Sequence, residues 1–231
     1  MPRTARASVG NVVHHVINRG NARNDVFHKA DDYVAFLRLV REASERLPMR
    51  LVGFCVMTNH FHLVLHPYED GDLSRWMQWL MTSHVRRYHR HYNSSGHVWQ
   101  GRFKAFPIQQ DDHLFTVVRY VERNPVRARI CRLAQNYSWS SISKKIPMDD
   151  PPQLSSKLIR RNALWIKRVN QPLTEAEIAA ARKSVNRGTP FGSDHWKKLT
   201  AKRLGLESTM RPRGRPKKSQ GRNAKKRMSH K

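Results

Sequence analysis

The sequence predicts an α+β fold. It reads as a ferredoxin-like β-α-β-β-α-β antiparallel sheet with helices on one face, followed by a helical C-terminal extension and a basic tail. Three observations point there. Short apolar runs bounded by Gly, Asn and Pro alternate with two long segments of helical periodicity. Two of the short runs, 49–57 and 60–66, are separated only by Thr58-Asn59, enough to turn one strand directly into the next. The second run contains His60-Phe61-His62-Leu63-Val64-Leu65, where a period of two sets both imidazoles on one face and Phe61, Leu63 and Leu65 on the other.

In chain order, residues 11–18 form the first strand and end at Arg19-Gly20-Asn21. Residues 31–47 follow as a helix, with Tyr33, Phe36, Leu37, Val40 and Leu47 at helical spacing and Pro48 as the stop. After the hairpin, Asp72 opens a long helix with the stripe Leu73, Trp76, Met77, Leu80, His84 and Tyr88; Arg86, Arg87 and Arg90 in its last turns complement the helix dipole. Residues 97–108 read as the fourth strand, and Asp111 or Asp112 caps a further helix through Tyr120. One sheet face is expected to stay open for a ligand, with His60 and His62 on it.

Composition shifts after Tyr137-Ser138-Trp139-Ser140-Ser141, and Asp149-Asp150-Pro151-Pro152 marks a boundary. The expected organisation is a domain over 1–148, a helical extension over 149–208 and a tail over 209–231. Helices are expected near 152–169, 174–185 (Thr174 and Glu177 as a capping box) and 193–204.

Lys and Arg outnumber Asp and Glu by 44 to 17 in 231 residues, a net charge of +27. Such a charge favours polyanionic partners. Only ten of those cations lie in 209–231, so the rest of the chain is basic in its own right. The two cysteines, Cys55 and Cys131, have no metal-type spacing and imply no disulfide framework, which fits a reducing compartment. The first ten residues lack an apolar stretch, and no run of about 18 apolar residues exists to span a membrane. A cytoplasmic protein is expected.

Two imidazoles side by side can hold a divalent ion. Tyr120, Asn124 and Arg127 fall together on the flank of a helical stripe made by Leu114, Val117, Val118 and Val121. A phenol with a pKa of about 10 is a weak nucleophile at neutral pH and needs a polarised target. An ion held by His60, His62 and an amide oxygen from Asn124 would polarise a phosphate. Plainer readings stand beside each. The histidines can be surface residues, with His14 and His66 either reaching the same face or ending strands; Tyr120 can be amphipathic packing. Asn124 before Pro125 can be a helix N-cap, a role that competes with ligation for the same side chain. By ligand softness two histidines suit Zn²⁺ or Mn²⁺ better than Mg²⁺.

For nucleic acid, Trp99, Arg102, Phe103 and Lys104 mix aromatics with cations, as stacked bases and tracked phosphates require. Strand alternation lets only one of the sets Trp99/Phe103 and Arg102/Lys104 face the ligand, and the aromatics can equally be core. Trp79 is a second stacking candidate, and Asn18, Arg19 and Asn21 lie in a turn suited to phosphate or base edges. In the tail, Pro212-Arg213-Gly214-Arg215-Pro216 resembles an AT-hook core, with Arg213 and Arg215 able to enter a narrow minor groove or to act as a solvated polycation.

His60-Phe61-His62 after Met57-Thr58-Asn59, joined to Tyr120-x-x-x-Asn124-Pro125-Val126-Arg127-Ala128, resembles the single-tyrosine HUH transposases (IS200-like). Within them the chain is most similar to the bacterial REP-associated tyrosine transposases. Further matching phrases are His15-Val16-Ile17-Asn18-Arg19-Gly20-Asn21, Trp99-Gln100-Gly101-Arg102-Phe103-Lys104 and Tyr137-Ser138-Trp139-Ser140-Ser141. The resemblance covers roughly residues 11–141. It implies a metal-dependent endonuclease acting on single-stranded or hairpin DNA in the bacterial nucleoid. Tyr120 would become joined to the 5′ phosphate and leave a 3′ hydroxyl; His60, His62 and Asn124 would bind Mg²⁺ or Mn²⁺. A monomer is expected rather than a dimer, with the extension on the dimer face. The competing function class is a non-catalytic binder, either an RNA-recognition-like sheet or a repressor-like protein of repeats. Such a module has no reason to place a tyrosine beside two histidines.

Overall fold

The computed structural model describes residues 8–211. Arg213 and Arg215 of the AT-hook-like phrase lie outside the described residues. Four strands, β1 (Val13–Arg19), β2 (Met49–Met57), β3 (His60–Pro67) and β4 (Lys104–Ile108), form one antiparallel sheet of order β2-β3-β1-β4. Helices α1 (Ala30–Arg46) and α2 (Asp72–Tyr92) separate the first strand from the hairpin and the hairpin from the last strand. After β4 come α3 (Asp112–Glu122), the single turn α4 (Asn124–Arg127), α5 (Ala163–Asn170), α6 (Glu175–Arg187), α7 (Asp194–Arg203) and the short α8 (Glu207–Met210).

Local chemistry fixes the helix ends. The Asp32 carboxylate accepts backbone N–H bonds from His28 (2.9 Å) and Lys29 (3.2 Å), closing the first turn of α1. Asp111 rather than Asp112 caps α3, accepting from the His113 N–H at 2.9 Å. Thr174 and Glu177 form the expected reciprocal box at the start of α6. The extension starts differently from its periodicity. Residues 152–162 are irregular, and Arg161 is drawn inward to the Val52 carbonyl at 2.6 Å.

Strand alternation builds two cores. Phe61, Leu63 and Leu65 of β3 join Phe54 and Val56 of β2 beneath α1 and α2, meeting Phe36, Leu37, Trp76 and Met77. Each such side chain contributes about 1.5–3 kcal/mol by leaving water. Val52, Cys55, Val64, Phe106 and Ile108 point the other way and pack under Leu114, Val117 and Val118 of α3. The expectation of an open second face is therefore corrected: α3 crosses to it, and Trp165, Val169 and Ala181 of α5 and α6 complete the same cluster. An amphipathic helix must bury its stripe, and the apolar residues on this face supply the partner.

Two further details differ from the sequence pattern. Residues 97–103 do not continue β4; Gly96 and Gly101 take φ of +91° and +153°, values that favour glycine. Trp99 is a core residue, 5 % exposed, with ring centroids 5.3 Å from Phe61 and 5.2 Å from His84, so it is removed from the DNA-contact set. At the sheet edge, the Phe191 N–H donates to the Pro107 carbonyl and the Phe191 carbonyl accepts from Gln109, each at 2.9 Å, so the chain covers the outer side of β4 with its own backbone. Among the described residues, no helix is long and apolar enough to cross a membrane.

Two core histidines should make the fold acid-sensitive. Burial pushes His15 and His84 down to about 3 from an ordinary value of 6.5. A group with a depressed folded pKa binds fewer protons in the fold than in the unfolded chain, so stability falls as pH drops below about 6.5. At pH 5 each histidine should cost up to about 2 kcal/mol. Urea midpoints at pH 7.5 and pH 5 test this, and His84→Leu should lose part of the difference. Equal midpoints at the two pH values would refute it.

Candidate functional site

The site lies at the start of β3. The register of β1 against β3 pairs Arg19 with His60 and Ile17 with His62, so Arg19 stands beside the histidine pair. His60 and His62 have ring centroids 5.1 Å apart. Because α3 crosses this face, Tyr120 arrives with its ring 6.0 Å from that of His62, edge to face, and is 6 % exposed. The turn α4 then brings in Asn124, whose Nδ2 lies 3.4 Å from His60 Nε2. Arg127 closes the group: its guanidinium carbon stands 4.0 Å from the Tyr120 ring centre, and one of its nitrogens donates to Asn124 Oδ1 at 3.0 Å.

Asn124 makes no capping hydrogen bond, although Pro125 follows it at the start of α4. Its side chain is turned into the site instead. The structure thus brings Tyr120, His60, His62, Asn124 and Arg127 together.

Both strand histidines are neutral at physiological pH. Burial holds His60 down to about 4, helped by the nearby cations Arg19 and Arg127; burial first, then the neighbouring histidines and the same two arginines, holds His62 well below its ordinary value. Asn59 Oδ1 lies 2.7 Å from His60 Nδ1, while Asn59 Nδ2 donates to the Arg23 carbonyl at 3.1 Å. An amide oxygen only accepts, so His60 carries its proton on Nδ1 and keeps a lone pair on Nε2. That is the tautomer a metal ligand needs.

The donor set fits a divalent ion with conditions. Among the described residues, no three or more His, Cys, Asp or Glu side chains converge as a metal cluster. The available donors are two neutral imidazoles and an amide, with no carboxylate. The Asn124 oxygen is already bonded to Arg127 and would have to be shared with it. Arg19 and Arg127 add positive charge, which suits a phosphate and makes the anion part of what would hold a cation.

The remaining sequence candidates line two cavities, with Asn18 bordering both. Arg19, Arg102 and Lys104 line one cavity of about 270 Å³, with Asn186 of α6 on its rim. Arg102 and Lys104 are exposed. Asn18 points to the opposite face: Nδ2 donates to the Gly101 carbonyl at 3.0 Å and Oδ1 accepts from the Arg19 N–H, tying the 96–103 loop to β1. It also borders a larger, mainly apolar cavity of about 770 Å³ beneath α2, lined by Met77, Met81, Val85 and Phe103.

Sequence reasoning missed two residues. His15, not His14, shares the face of His62, and Glu122 anchors the tyrosine helix. Strand parity placed His14 and His15 on opposite faces, but only the register says which face is which.

Both the fold and the sequence have counterparts among known proteins. A solved structure of a REP-associated tyrosine transposase bound to a REP hairpin superposes with a TM-score of 0.51 at 17 % identity, covering 69 % of this chain and 98 % of that one. It supports the fold. A Haemophilus influenzae protein assigned as a REP-associated tyrosine transposase is 24 % identical over 134 residues, 53 % of this chain and 76 % of the relative. The family model for IS200-like transposases matches residues 8–124, a stretch that begins before β1 and ends on Asn124. Since that stretch is just over half of the chain and holds the sheet, the histidine pair and Tyr120, the protein belongs to the IS200-like transposase family.

Proposed function

We propose that the protein is a metal-dependent endonuclease and strand transferase of single-stranded DNA, acting at repetitive palindromic hairpins. The observation that carries the reading is the placement of Tyr120 against His62 with Arg127 over its ring. The Tyr120 oxygen attacks a backbone phosphorus, forming an O–P bond as the bond to the 3′ oxygen breaks. The phenolic proton passes to solvent and the departing 3′ oxygen takes up a proton, leaving a 5′ phosphotyrosine and a free 3′ hydroxyl. Attack by a 3′ hydroxyl on the phosphotyrosine reverses the bond changes, so strands rejoin without ATP.

His60, His62 and the Asn124 amide would hold Mg²⁺ or Mn²⁺, which supplies Lewis-acid polarisation of the phosphoryl oxygens. Arg127 faces the ring from which the nucleophile's charge is donated and orients the Asn124 amide. Arg19, Arg102 and Lys104 line a path for the flanking phosphates. Hairpin DNA as substrate is supported by the superposable transposase bound to a REP hairpin. On this reading the protein works with chromosomal DNA in the cytoplasm. It acts as a monomer, its β4 edge already taken by Phe191. The domain over 1–148 does the chemistry, the extension over 149–208 braces it, and the tail over 209–231 adds affinity for DNA.

The test is incubation with end-labelled single-stranded hairpins and Mn²⁺ or Mg²⁺ on a denaturing gel. Metal-dependent cleavage with a covalent protein–DNA adduct is expected, and His62→Ala should lower it by at least about 100-fold. Tight hairpin binding with no cleavage in either metal would favour the non-catalytic binder.

A further inference from the structure

His15 has no part in the chemistry just described, yet it touches its centre. It lies on β1 opposite Val64, two residues along from the Ile17–His62 pair and on the same face. Its side chain is fully buried, 4.9 Å from the rings of both His62 and Phe106. Its Nε2 is 2.7 Å from His62 Nδ1, and its own Nδ1 has no hydrogen-bond partner among the described residues.

Two neutral imidazoles sharing one hydrogen bond have two arrangements. In the first, His62 Nδ1–H donates to His15 Nε2. His62 then keeps a lone pair on Nε2, and the proton of His15 sits on Nδ1 with nothing to accept it. In the second, His15 donates, His62 carries its proton on Nε2, and His62 cannot ligate. Either arrangement leaves His15 Nδ1 without a partner, as a donor in the first and as an acceptor in the second, and only the first yields a metal ligand. A residue kept for packing alone, among Phe106, Val64 and Tyr120, would be better filled by an aliphatic side chain. The neighbouring strand position shows the same device, since Asn59 fixes the proton of His60 on Nδ1 in the same way.

We propose that His15 is a positioning residue: it accepts the Nδ1–H of His62 and so holds the His62 Nε2 lone pair ready for the divalent ion. Both the choice of tautomer and its purpose rest on the metal reading of the preceding section. Removal of a partner of this kind weakens metal binding by about 10–100-fold.

Two measurements separate the claims. The first records long-range ¹H–¹⁵N spectra of the histidines in the metal-free protein; the second titrates Mn²⁺ alone. Wild type should show His62 protonated on Nδ1. His15→Leu should release that tautomer and weaken Mn²⁺ binding by about 10–100-fold without lowering thermal stability. His15→Gln, whose amide oxygen can replace the acceptor, should restore most of the affinity. Protonation of His62 on Nε2 in wild type, or unchanged Mn²⁺ affinity in His15→Leu, would overturn the role of His15. Failure of wild type to bind Mn²⁺ would overturn the metal reading instead, whatever the tautomer. The wild-type spectrum needs no variant to fold.

Discussion

Tyr120→Phe should bind hairpin DNA within a few-fold of wild type yet form no covalent adduct and lose strand cleavage by about 10⁴-fold or more. The substitution removes one oxygen and leaves the ring. The contacts with His62, His15 and Arg127 are made through that ring, so the helix and the cation over it stay in place. Stability should change by less than about 1 kcal/mol. That separation matters because the binding and catalytic readings make opposite demands on the same variant. A protein that only grips hairpins would be indifferent to the phenol oxygen. An adduct persisting in the Phe variant would assign the nucleophile to another side chain. Cleavage persisting without an adduct would mean that water attacks directly, in which case Tyr120 merely lines the site. Denaturing gels for the adduct, paired with a native binding titration, distinguish all three.

How much of this was readable from the chain depends on whether the signal was periodic or tertiary. Period two alone put His60 and His62 on one face and Phe61 on the other, and the two cores respect that split. Helical period alone grouped Tyr120, Asn124 and Arg127. The side of the sheet on which that helix would lie was not legible, because an amphipathic stripe specifies that it is buried and not against what. Period two set His14 and His15 on opposite faces of their strand without saying which of them joins His60 and His62; the antiparallel register, with His15 against Val64, puts His15 there. In residues 97–103 the alternation of Trp99 and Phe103 mimicked a strand, while Gly96 and Gly101 bend the chain so that both aromatics enter the core. Asn124 had two roles of equal local plausibility. Arg127 and His60, only one of which lies on its own helical turn, draw its side chain away from the cap.

The largest effect on stability should come from Glu122, a residue that periodicity leaves on a helix flank and the structure buries completely. One carboxylate oxygen accepts from Ser141 Oγ at 2.6 Å and from Arg161 Nε at 2.8 Å; the other accepts from the Trp165 indole N–H at 2.8 Å. Arg161 also pairs with it at 2.7 Å and is itself only 15 % exposed. These donors all come from residues 141–165, so this carboxylate is where the C-terminal segments grip α3. Glu122→Ala leaves a buried guanidinium, an indole N–H and a hydroxyl without their acceptor. The cost should be about 3–5 kcal/mol, a large share of an ordinary domain's 5–15 kcal/mol. The double variant Glu122→Leu/Arg161→Leu should recover most of that loss, since the charge goes with its partner. Urea denaturation of both variants measures the difference, and a loss below about 1 kcal/mol in Glu122→Ala would mean that water replaces the carboxylate. The functional consequence follows from two residues of spacing. Tyr120 sits just N-terminal to this anchor, so under conditions where the weakened protein is still folded, Glu122→Ala should lose more cleavage than hairpin binding. Equal losses in both would show that the C-terminal segments stabilise the protein without aligning its nucleophile.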